Sequence, residues 1–251
     1  MRNPGGEYNQ LATTLLQIEN EFYGTIRPKR VIRPGERPLH ALRQRGVEYV
    51  EVRCLDLDPF AALGIDTAVM RFVDLFLLHS LLSDSPPDTP QEIAALARNQ
   101  DRVANRGREP GLMLEQAGRE VPLAAWAAAL LAEFEPLAEA LDAVHGGAGH
   151  RDGLAAARAA LDDSARLPSA RVLHDMRRAF DGDHAAFMRA QSAQTRLDLL
   201  GRPWSPARSE HYDRLAQASW RDQQRMERED SEDFESWRLA YLSPERLRPA
   251  P

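Results

Sequence analysis

Alternation of apolar and polar residues predicts one strand near the start of the chain, over residues 47–55. One set of small apolar side chains shares a face that we expect to be core: Val50, Val52 and Cys54. The opposite face carries Glu51 and Arg53, about 7 Å apart along the strand. At this spacing the carboxylate can take a cation while the guanidinium reaches an anion bound to that cation. A solvated surface pair has the same pattern, and the pattern alone favours this simpler interpretation.

Before this strand, the pattern predicts a short helix, an extended segment and a helical turn. The apolar residues at helical intervals are Leu11, Leu15, Ile18 and Phe22. We therefore predict a helix over about residues 10–23. Glu19 at its end opposes the helix dipole, which indicates that something other than helix stability placed it there. Residues 26–32 are predicted to be extended, and residues 39–45 to form a helical turn that ends at Gly46.

From Asp66 onward the pattern is helical almost throughout. Asp66 is a good N-cap for a helix so apolar on all sides that we expect it to be buried in the middle of the domain. Residues 89–92, Thr-Pro-Gln-Glu, form a capping box that begins the next helix. Pro122 opens a long helix that we expect to be kinked or divided near Pro136. Further helices are predicted at about 152–163, 170–180 (capped by Ser169), 184–199 (capped by Asp183) and 207–228.

Composition and charge exclude several classes of protein. The 251 residues are 43% apolar and 28% charged, as is typical of a soluble globular protein. The formal charge of -6 argues against a general nucleic-acid binder. A single cysteine, Cys54, excludes an internal disulfide, fits a reducing compartment and is expected to be a buried apolar residue. No apolar run approaches the roughly 20 residues of a membrane span, so we predict a cytoplasmic protein without membrane or nucleic-acid partners.

Cationic residues concentrate in two places. Seven lie between Ile26 and Gly46 against one acid, and one of them, Lys29, is the only lysine in the chain. The abundance of arginine elsewhere reflects a coding bias as much as a function. On the predicted helix after residue 89, three arginines share a face that either meets a phosphate or, as the favoured interpretation, is solvated: Arg98, Arg102 and Arg106.

Most motifs of known enzyme chemistry are absent. No two of the seven histidines lie four residues apart on one predicted helix, which excludes the simplest zinc sites. Asp56 and Asp58 could bind a divalent cation, although Asp before Pro is more often a turn. There is no nucleophile elbow, P-loop, dinucleotide-binding turn or internal repeat. Motifs alone therefore indicate only a soluble, mostly helical protein with a short sheet.

Two longer blocks change this interpretation. Residues 16–23, LQIENEFY, precede residues 26–30, IRPKR, and residues 48–60 are EYVEVRCLDLDPF. In this order and with this gap, the blocks closely resemble bacterial glutamate-cysteine ligase, the γ-glutamylcysteine synthetase of glutathione biosynthesis. Weaker similarity continues through residues 102–112 and 168–173. Members of this family are about twice as long as this chain. The chain resembles their C-terminal half.

The resemblance implies an α+β fold that is predominantly helical, like the C-terminal part of a glutamine-synthetase-like ligase, with a short antiparallel sheet segment. Residues 1–65 would hold active-site strands and loops of the catalytic domain. Residues 66–242 would be a helical region packed on it, and residues 243–251 a flexible tail.

The N-terminal strands that carry most of the family's metal-binding carboxylates are missing, which leaves three interpretations. The chain is a truncated or split ligase with a separately encoded N-terminal half as partner, an inactive scaffold that binds a partner, or an incomplete gene model. An isolated half should expose apolar surface and self-associate.

The activity implied is ATP-dependent ligation of the γ-carboxylate of glutamate to cysteine through an acyl phosphate, with Mg²⁺ ions bridging the phosphates. In this resemblance Glu51 corresponds to a Mg²⁺ ligand and Arg53 to the catalytic group that reaches the transferred phosphate. Tyr23 resembles a wall of the amino-acid pocket. Three cations lie where the nucleotide could be contacted, or else form a solvated basic edge: Arg27, Lys29 and Arg30.

Overall fold

The computed structural model of the protein describes residues 3–33, 35–53 and 55–244, and 61% of it is helical. The short strands pair antiparallel, so the predicted class, α+β and predominantly helical, is confirmed. The prediction for Cys54 and most of the predicted tail at 243–251 lie outside the described residues. In chain order the elements are β1 (Ile26–Lys29), α1 (Pro38–Arg45), β2 (Tyr49–Val52), α2 (Thr67–Leu82), α3 (Pro90–Arg106), β3 (Met113–Gln116), β4 (Arg119–Pro122), α4 (Leu123–Glu133), α5 (Glu135–His145), α6 (Gly149–Asp162), α7 (Pro168–Ala179), α8 (His184–Leu200), α9 (Pro206–Glu229) and α10 (Phe234–Leu242).

The chain divides into two compact units. The first unit comprises Met1–Asp56 and Pro203–Pro251, and the second comprises Leu57–Arg202. The functional boundary predicted at residues 65 and 66 concerns the domains of a ligase and stays a prediction. Within the ranges that the structure describes, every helix is too short or too polar to cross a membrane.

In the first unit, β1 and β2 form a two-stranded antiparallel sheet. Arg27 lies opposite Glu51, and Lys29 lies opposite Tyr49. The predicted helical turn is present as α1, and it ends at Gly46, whose φ of 74° is strained for residues with a side chain. This glycine turns the chain from the helix into β2.

The apolar face of this sheet is not the core that the alternation predicts. Val50 is 43% exposed, and Ile26 on the same face is 44% exposed. Two strands alone bury little of either face, so alternation correctly predicts the faces but not the burial.

The helix predicted over residues 10–23 is wrong. The segment bends irregularly and contains only a 3-10 turn, Glu19–Glu21. Side chains take the amides that a helix would use: the Gln17 side chain accepts the N–H of Leu11 at 2.5 Å, and the Glu21 carboxylate accepts the N–H of Gln17 at 2.8 Å. Polar side chains therefore replace the helical hydrogen bonds in spite of the apolar spacing.

Helix α10 is a feature that the sequence pattern does not predict. It packs against the start of the chain, where the rings of Tyr8 and Phe234 meet edge to face at 4.8 Å. Arg238 also donates to the carbonyl oxygen of Leu11 at 2.7 Å. The run of charged residues before α10 gives no apolar pattern that would indicate where the helix begins. Asp233 nevertheless caps it by accepting the N–H of Ser236.

In the second unit, four helices enclose the core. Its buried residues come from α2, α4, α5, α6 and the junction between α4 and α5: Leu75, Leu131, Phe134, Ala138 and Leu154. The predicted division near Pro136 is confirmed, because α4 ends at Glu133 and α5 begins at Glu135. Asp142 on α5 caps the start of α6, because its carboxylate accepts hydrogen bonds from the main-chain N–H groups of His150 and Arg151.

Helix-capping residues were predicted well in this unit, with one error. Asp66, Thr89 and Asp183 each accept an amide N–H in the first turn of their helix, as expected. Ser169 is not a cap, because α7 begins one residue earlier with Pro168 at its first position.

Helix α2 is not buried in the middle of the unit. Leu75 is fully buried, but Met70 is 52% exposed and Leu81 is 78% exposed. One apolar side of the helix packs on α5 and α6, and the other lies on the surface. We call this second side the α2 apolar surface; its exposed members are Val69, Met70, Phe76 and Leu81.

The hairpin of β3 and β4 was missed by the sequence analysis. Its turn has positive φ at both Ala117 and Gly118, and an alanine there hides the usual Asn-Gly signal. Asn99 joins the hairpin to α3, because its amide donates to the carbonyl oxygen of Glu115 at 2.7 Å and accepts that residue's N–H at 2.8 Å. The arginine face of α3 is paired with glutamates: Arg98 and Arg102 with Glu115, and Arg106 with Glu109.

Candidate functional site

The charged face of the β1–β2 sheet gathers several of the predicted site residues. Side chains that face each other across an antiparallel pair point to the same side, so Arg27 and Glu51 share this face. Lys29 is two residues along β1 and therefore joins them. Arg53 lies just beyond β2, where its N–H donates to the carbonyl oxygen of Thr25 at 2.8 Å and extends the same pairing.

Glu51 is the centre of this face. Lys29 Nζ lies 3.1 Å from Glu51 Oε2, and Arg53 Nη2 lies 3.0 Å from the same oxygen. Hydrogen bonds from Arg53 and then Lys29 lower the pKa of the Glu51 carboxyl below its usual value. Glu51 is therefore ionised at neutral pH, and its other oxygen, Oε1, takes part in neither contact.

Tyr23 joins the cluster through Arg53. The guanidinium carbon of Arg53 lies 5.8 Å from the centre of the Tyr23 ring, within range of a cation–π interaction. The Tyr23 side chain is 79% exposed, so its hydroxyl is open to a ligand. The structure thus brings together Tyr23, Lys29, Glu51 and Arg53, which we call the site cluster.

The other two predicted nucleotide contacts lie differently. Arg27 faces Glu51 by register, but its guanidinium donates to the carbonyl oxygens of Glu19 and Asn20, each at 3.4 Å. Arg30 Nε lies 3.4 Å from a carboxylate oxygen of Glu48. In the part of the chain that the structure describes, the two guanidinium groups therefore bond the turn and Glu48, and only Arg27 is paired with Glu51 by strand register.

The balance of charge on this face favours anions. Arg27, Lys29 and Arg53 carry three positive charges against the single negative charge of Glu51. Such a surface attracts phosphate groups, and the planar guanidinium of Arg53 can bind two phosphate oxygens at once. Lys29, Glu51 and Arg53 are partly exposed, so an anion in solution can reach them.

A metal site built from protein groups alone is not present among the described residues, which include no cluster of three or more His, Cys, Asp or Glu side chains able to hold a metal ion. Asp58 accepts the N–H of Phe60 at 2.9 Å, so it stabilises the predicted turn. One carboxylate with phosphate oxygens and water is nevertheless a frequent environment for Mg²⁺. Glu51 fits this role as a single ligand.

One pair near the site was missed by the sequence analysis. Arg37 and Glu19 form an ion pair that is largely buried beside the turn to which Arg27 donates. The only signal in the sequence was the unfavourable position of Glu19 at the end of a predicted helix. The loop between β1 and α1 brings Arg37 to it, and the chain's pattern does not reveal this contact.

Comparison with known proteins identifies the kind of protein to which these features belong. The family model described as "Glutamate-cysteine ligase" matches residues 2–103, a range that contains the whole site cluster. The glutamate-cysteine ligase of Azotobacter vinelandii is 45% identical over 236 residues, which cover 94% of this chain and 44% of that protein. The Pseudomonas putida enzyme is 44% identical over 240 residues, covering 94% of this chain and 45% of that protein.

A solved structure extends the similarity to the fold. The crystal structure of glutamate-cysteine ligase from Francisella tularensis in complex with AMP matches with a TM-score of 0.88 at 29% identity. The match covers 96% of this chain and 47% of that one. The chain therefore spans about half the length of the relatives it matches, in keeping with their C-terminal half.

Proposed function

The chain belongs to the glutamate-cysteine ligase family, and on this premise we propose that it supplies one wall of an ATP-dependent site that joins the γ-carboxylate of glutamate to cysteine. The observation that carries the proposal is the site cluster, in which one ionised carboxylate lies between two cations beside an exposed tyrosine. The further walls would come from the part of the family's length that this chain does not span, for which a separately encoded N-terminal half is the candidate partner.

The proposed reaction has two steps. An oxygen of the glutamate γ-carboxylate attacks the γ-phosphorus of ATP, the bond from that phosphorus to the bridging oxygen breaks, and ADP leaves. The cysteine amine then attacks the carbonyl carbon of the acyl phosphate, the bond from this carbon to the phosphate oxygen breaks, and phosphate leaves with the proton lost from the amine. Both steps depend on positioning and on neutralisation of negative charge.

Arg53 is the residue we assign to the transferred phosphate. Its guanidinium is partly exposed and lies between Glu51 Oε2, at 3.0 Å, and the ring of Tyr23. A guanidinium fixed in this way offers its remaining N–H groups without further ordering, and it stabilises charge that develops on the phosphate oxygens. Lys29, Arg27 and Arg30 would then contact the rest of the nucleotide.

Glu51 would hold Mg²⁺ through the oxygen that takes part in neither ion pair. When bound, the metal ion would neutralise phosphate charge and polarise the transferred phosphoryl group. Lys29 and Arg53 keep the Glu51 carboxylate oriented and ionised in its absence. Tyr23 would close the amino-acid side of the site, where its exposed hydroxyl can donate to a substrate carboxylate.

Turnover tests the proposal directly. ADP release is measured with glutamate, cysteine and Mg-ATP, first with the chain alone and then with the remaining part of the Azotobacter vinelandii enzyme added as a separate polypeptide. We expect activity that depends on cysteine only in the second case. If neither mixture turns over, nor a single polypeptide that joins the two parts, the ligase assignment is wrong and the scaffold interpretation is favoured.

Lys29 offers a second test that does not require turnover. Because it is the only lysine, an amine-acylating reagent can modify only this side chain and the α-amino group. Mg-ATP should slow acylation of Lys29, measured by peptide mapping, and leave acylation of the α-amino group unchanged as the internal control. Equal rates with and without Mg-ATP, in the assembly as well as in the chain alone, would count against a nucleotide at this face.

A further inference from the structure

A largely buried ion pair, Glu19 with Arg37, adjoins the turn to which Arg27 donates. Arg37 is 7% exposed, and its Nε lies 3.1 Å from both carboxylate oxygens of Glu19, while Nη2 contacts Oε2. The remaining nitrogen, Nη1, donates to the carbonyl oxygen of Tyr241 at 3.3 Å, and the guanidinium lies over that ring at 5.1 Å. Arg37 is thus fixed to α10 on one side and to Glu19 on the other.

The main chain of Glu19 connects this ion pair to Arg27 on the sheet. Glu19 is the first residue of the 3-10 turn Glu19–Glu21. The carbonyl oxygens of Glu19 and Asn20 both accept hydrogen bonds from Arg27. Arg37 therefore connects the turn to α10, and the Arg27 guanidinium is hydrogen-bonded to the same turn.

The position of Arg27 matters because Glu51 is its partner across the sheet. Facing side chains on an antiparallel pair start about 5 Å apart, so a long arginine can reach an opposite carboxylate easily. Because its N–H groups donate to the turn, Arg27 leaves the Glu51 carboxylate paired with Lys29 and Arg53.

The energetics of buried ion pairs support a role in geometry. Desolvation offsets much of the attraction within such a pair, so an apolar replacement can be equally stable. Burial raises the pKa of the Glu19 carboxyl. The hydrogen bond from Arg37 and those from main-chain N–H groups together outweigh this effect, so the pKa lies below its usual value. What the ionised pair provides is a fixed, two-pronged arrangement of the guanidinium and the carboxylate.

We infer that Glu19 and Arg37 are positioning residues, which hold the 3-10 turn so that Arg27 points away from Glu51 and toward the polyphosphate of the nucleotide. This inference rests on the proposed function. The pair touches neither substrate nor reacting atoms, and it acts through Arg27 alone.

A double-mutant cycle in the turnover-competent assembly tests this action through Arg27. Glu19→Gln should raise KM for ATP about tenfold with little change in kcat, because a misplaced cation weakens nucleotide binding. In an Arg27→Ala background, Glu19→Gln should raise KM no further, since the residue through which it acts is gone. The matched control is Glu21→Gln in the same turn, whose carboxylate bonds only Gln17 among the described residues. Additive effects of Glu19→Gln and Arg27→Ala would overturn the inference in favour of a general structural role.

A spectroscopic measurement separates failure of this inference from failure of the proposed function. The Nε–H signal of Arg27, assigned by its loss in Arg27→Lys, reports by nuclear magnetic resonance relaxation whether the side chain is ordered. We expect order in the wild-type chain and in Glu21→Gln, and mobility in Glu19→Gln and Arg37→Lys. If Arg27 stays ordered in Glu19→Gln, the positioning role is wrong even where turnover is observed. If the signals change as expected but no assembly turns over, only the function has failed.

Discussion

At the scale of single residues, the candidate site depends on one carboxylate between two cations. Glu51→Gln removes the charge and keeps the shape, and Arg53→Ala removes the guanidinium. In an assembly with ligase activity, we expect each substitution to lower kcat/KM by about 10²-fold or more, because stabilisation of the transferred phosphoryl group is lost. Thermal unfolding followed by circular dichroism should change by no more than about 2 °C, because both residues lie on the surface of the sheet.

A matched substitution separates this effect from a general loss of negative charge. Glu120 on β4 is exposed and makes one distant contact with Arg102, at 3.5 Å. Glu120→Gln should leave kcat/KM within about twofold of wild type. A fall at Glu120 as large as the fall at Glu51 would argue that the assay reports folding or assembly and not chemistry at the site.

A different glutamate should give a measurable dependence of stability on pH. Two hydrogen bonds from the Arg45 guanidinium and one from the main-chain N–H of Arg33 hold the Glu36 carboxylate, and together they lower its pKa from 4.5 to about 2. A carboxyl whose pKa is lower in the folded than in the unfolded protein stabilises the fold above its unfolded pKa, and this contribution disappears as the pH falls through the folded pKa. The urea midpoint of wild type should therefore exceed that of Glu36→Gln at pH 6, and the difference should shrink progressively below pH 4.5. A difference that is constant between pH 6 and pH 3 would contradict this.

The residue scale also shows which parts of the site the sequence could predict. The alternation of side chains along a strand correctly predicts that Glu51 and Arg53 share one face, because this alternation is a local property of an extended chain. The contact from Lys29 to Glu51 depends on the register between two strands, and nothing in either strand fixes that register. The Glu19–Arg37 pair depends on a loop conformation and was missed for the same reason. The catalytic and binding roles assigned to these residues stay predictions.

At the scale of elements, α2 and α6 pack closely against each other in the second unit. A Cβ atom added to Gly153 on α6 would lie 2.8 Å from the main-chain oxygen of Ala68 on α2, which cannot move without displacing the helix. We expect Gly153→Ala to lower the free energy of unfolding by about 1–2 kcal/mol, because overpacking outweighs the gain in helix propensity. Urea unfolding measures the difference.

Gly149, one helical turn earlier, is the control for this substitution. A Cβ atom there would meet the guanidinium of Arg71, which is the free end of a flexible side chain. Gly149→Ala should therefore cost less than Gly153→Ala. If Gly149→Ala proves the more destabilising, the main-chain contact at Gly153 is not what limits the approach of the two helices.

The elements that were predicted correctly are those with local signals. The caps at Asp66, Thr89 and Asp183 are decided within a single turn of chain, and the structure contains all three. The hairpin of β3 and β4 depends on pairing with the Asn99 side chain of α3, a contact 16 residues apart. The absent helix at residues 10–23 shows the converse, because apolar spacing alone cannot outweigh side chains that bond the backbone amides.

At the scale of the whole molecule, the α2 apolar surface leaves several large apolar side chains of one helix exposed. The sequence predicts that α2 is buried on all sides, and the second unit covers only one side of it. Contiguous apolar surface of this kind usually marks a contact with another chain or segment.

We therefore expect the chain on its own to self-associate through the α2 apolar surface. Size-exclusion chromatography with light scattering should give a mass above that of the monomer, rising with protein concentration. Leu81→Glu should shift the distribution toward monomer, because Leu81 is 78% exposed and a charge there opposes burial. Ser192→Glu, which adds the same charge at an exposed position of α8, should leave association unchanged. A sharp monomer peak for wild type with cooperative melting would mean that this surface is tolerated in water. An equal effect of both substitutions would mean that net charge, and not the apolar side of α2, controls association.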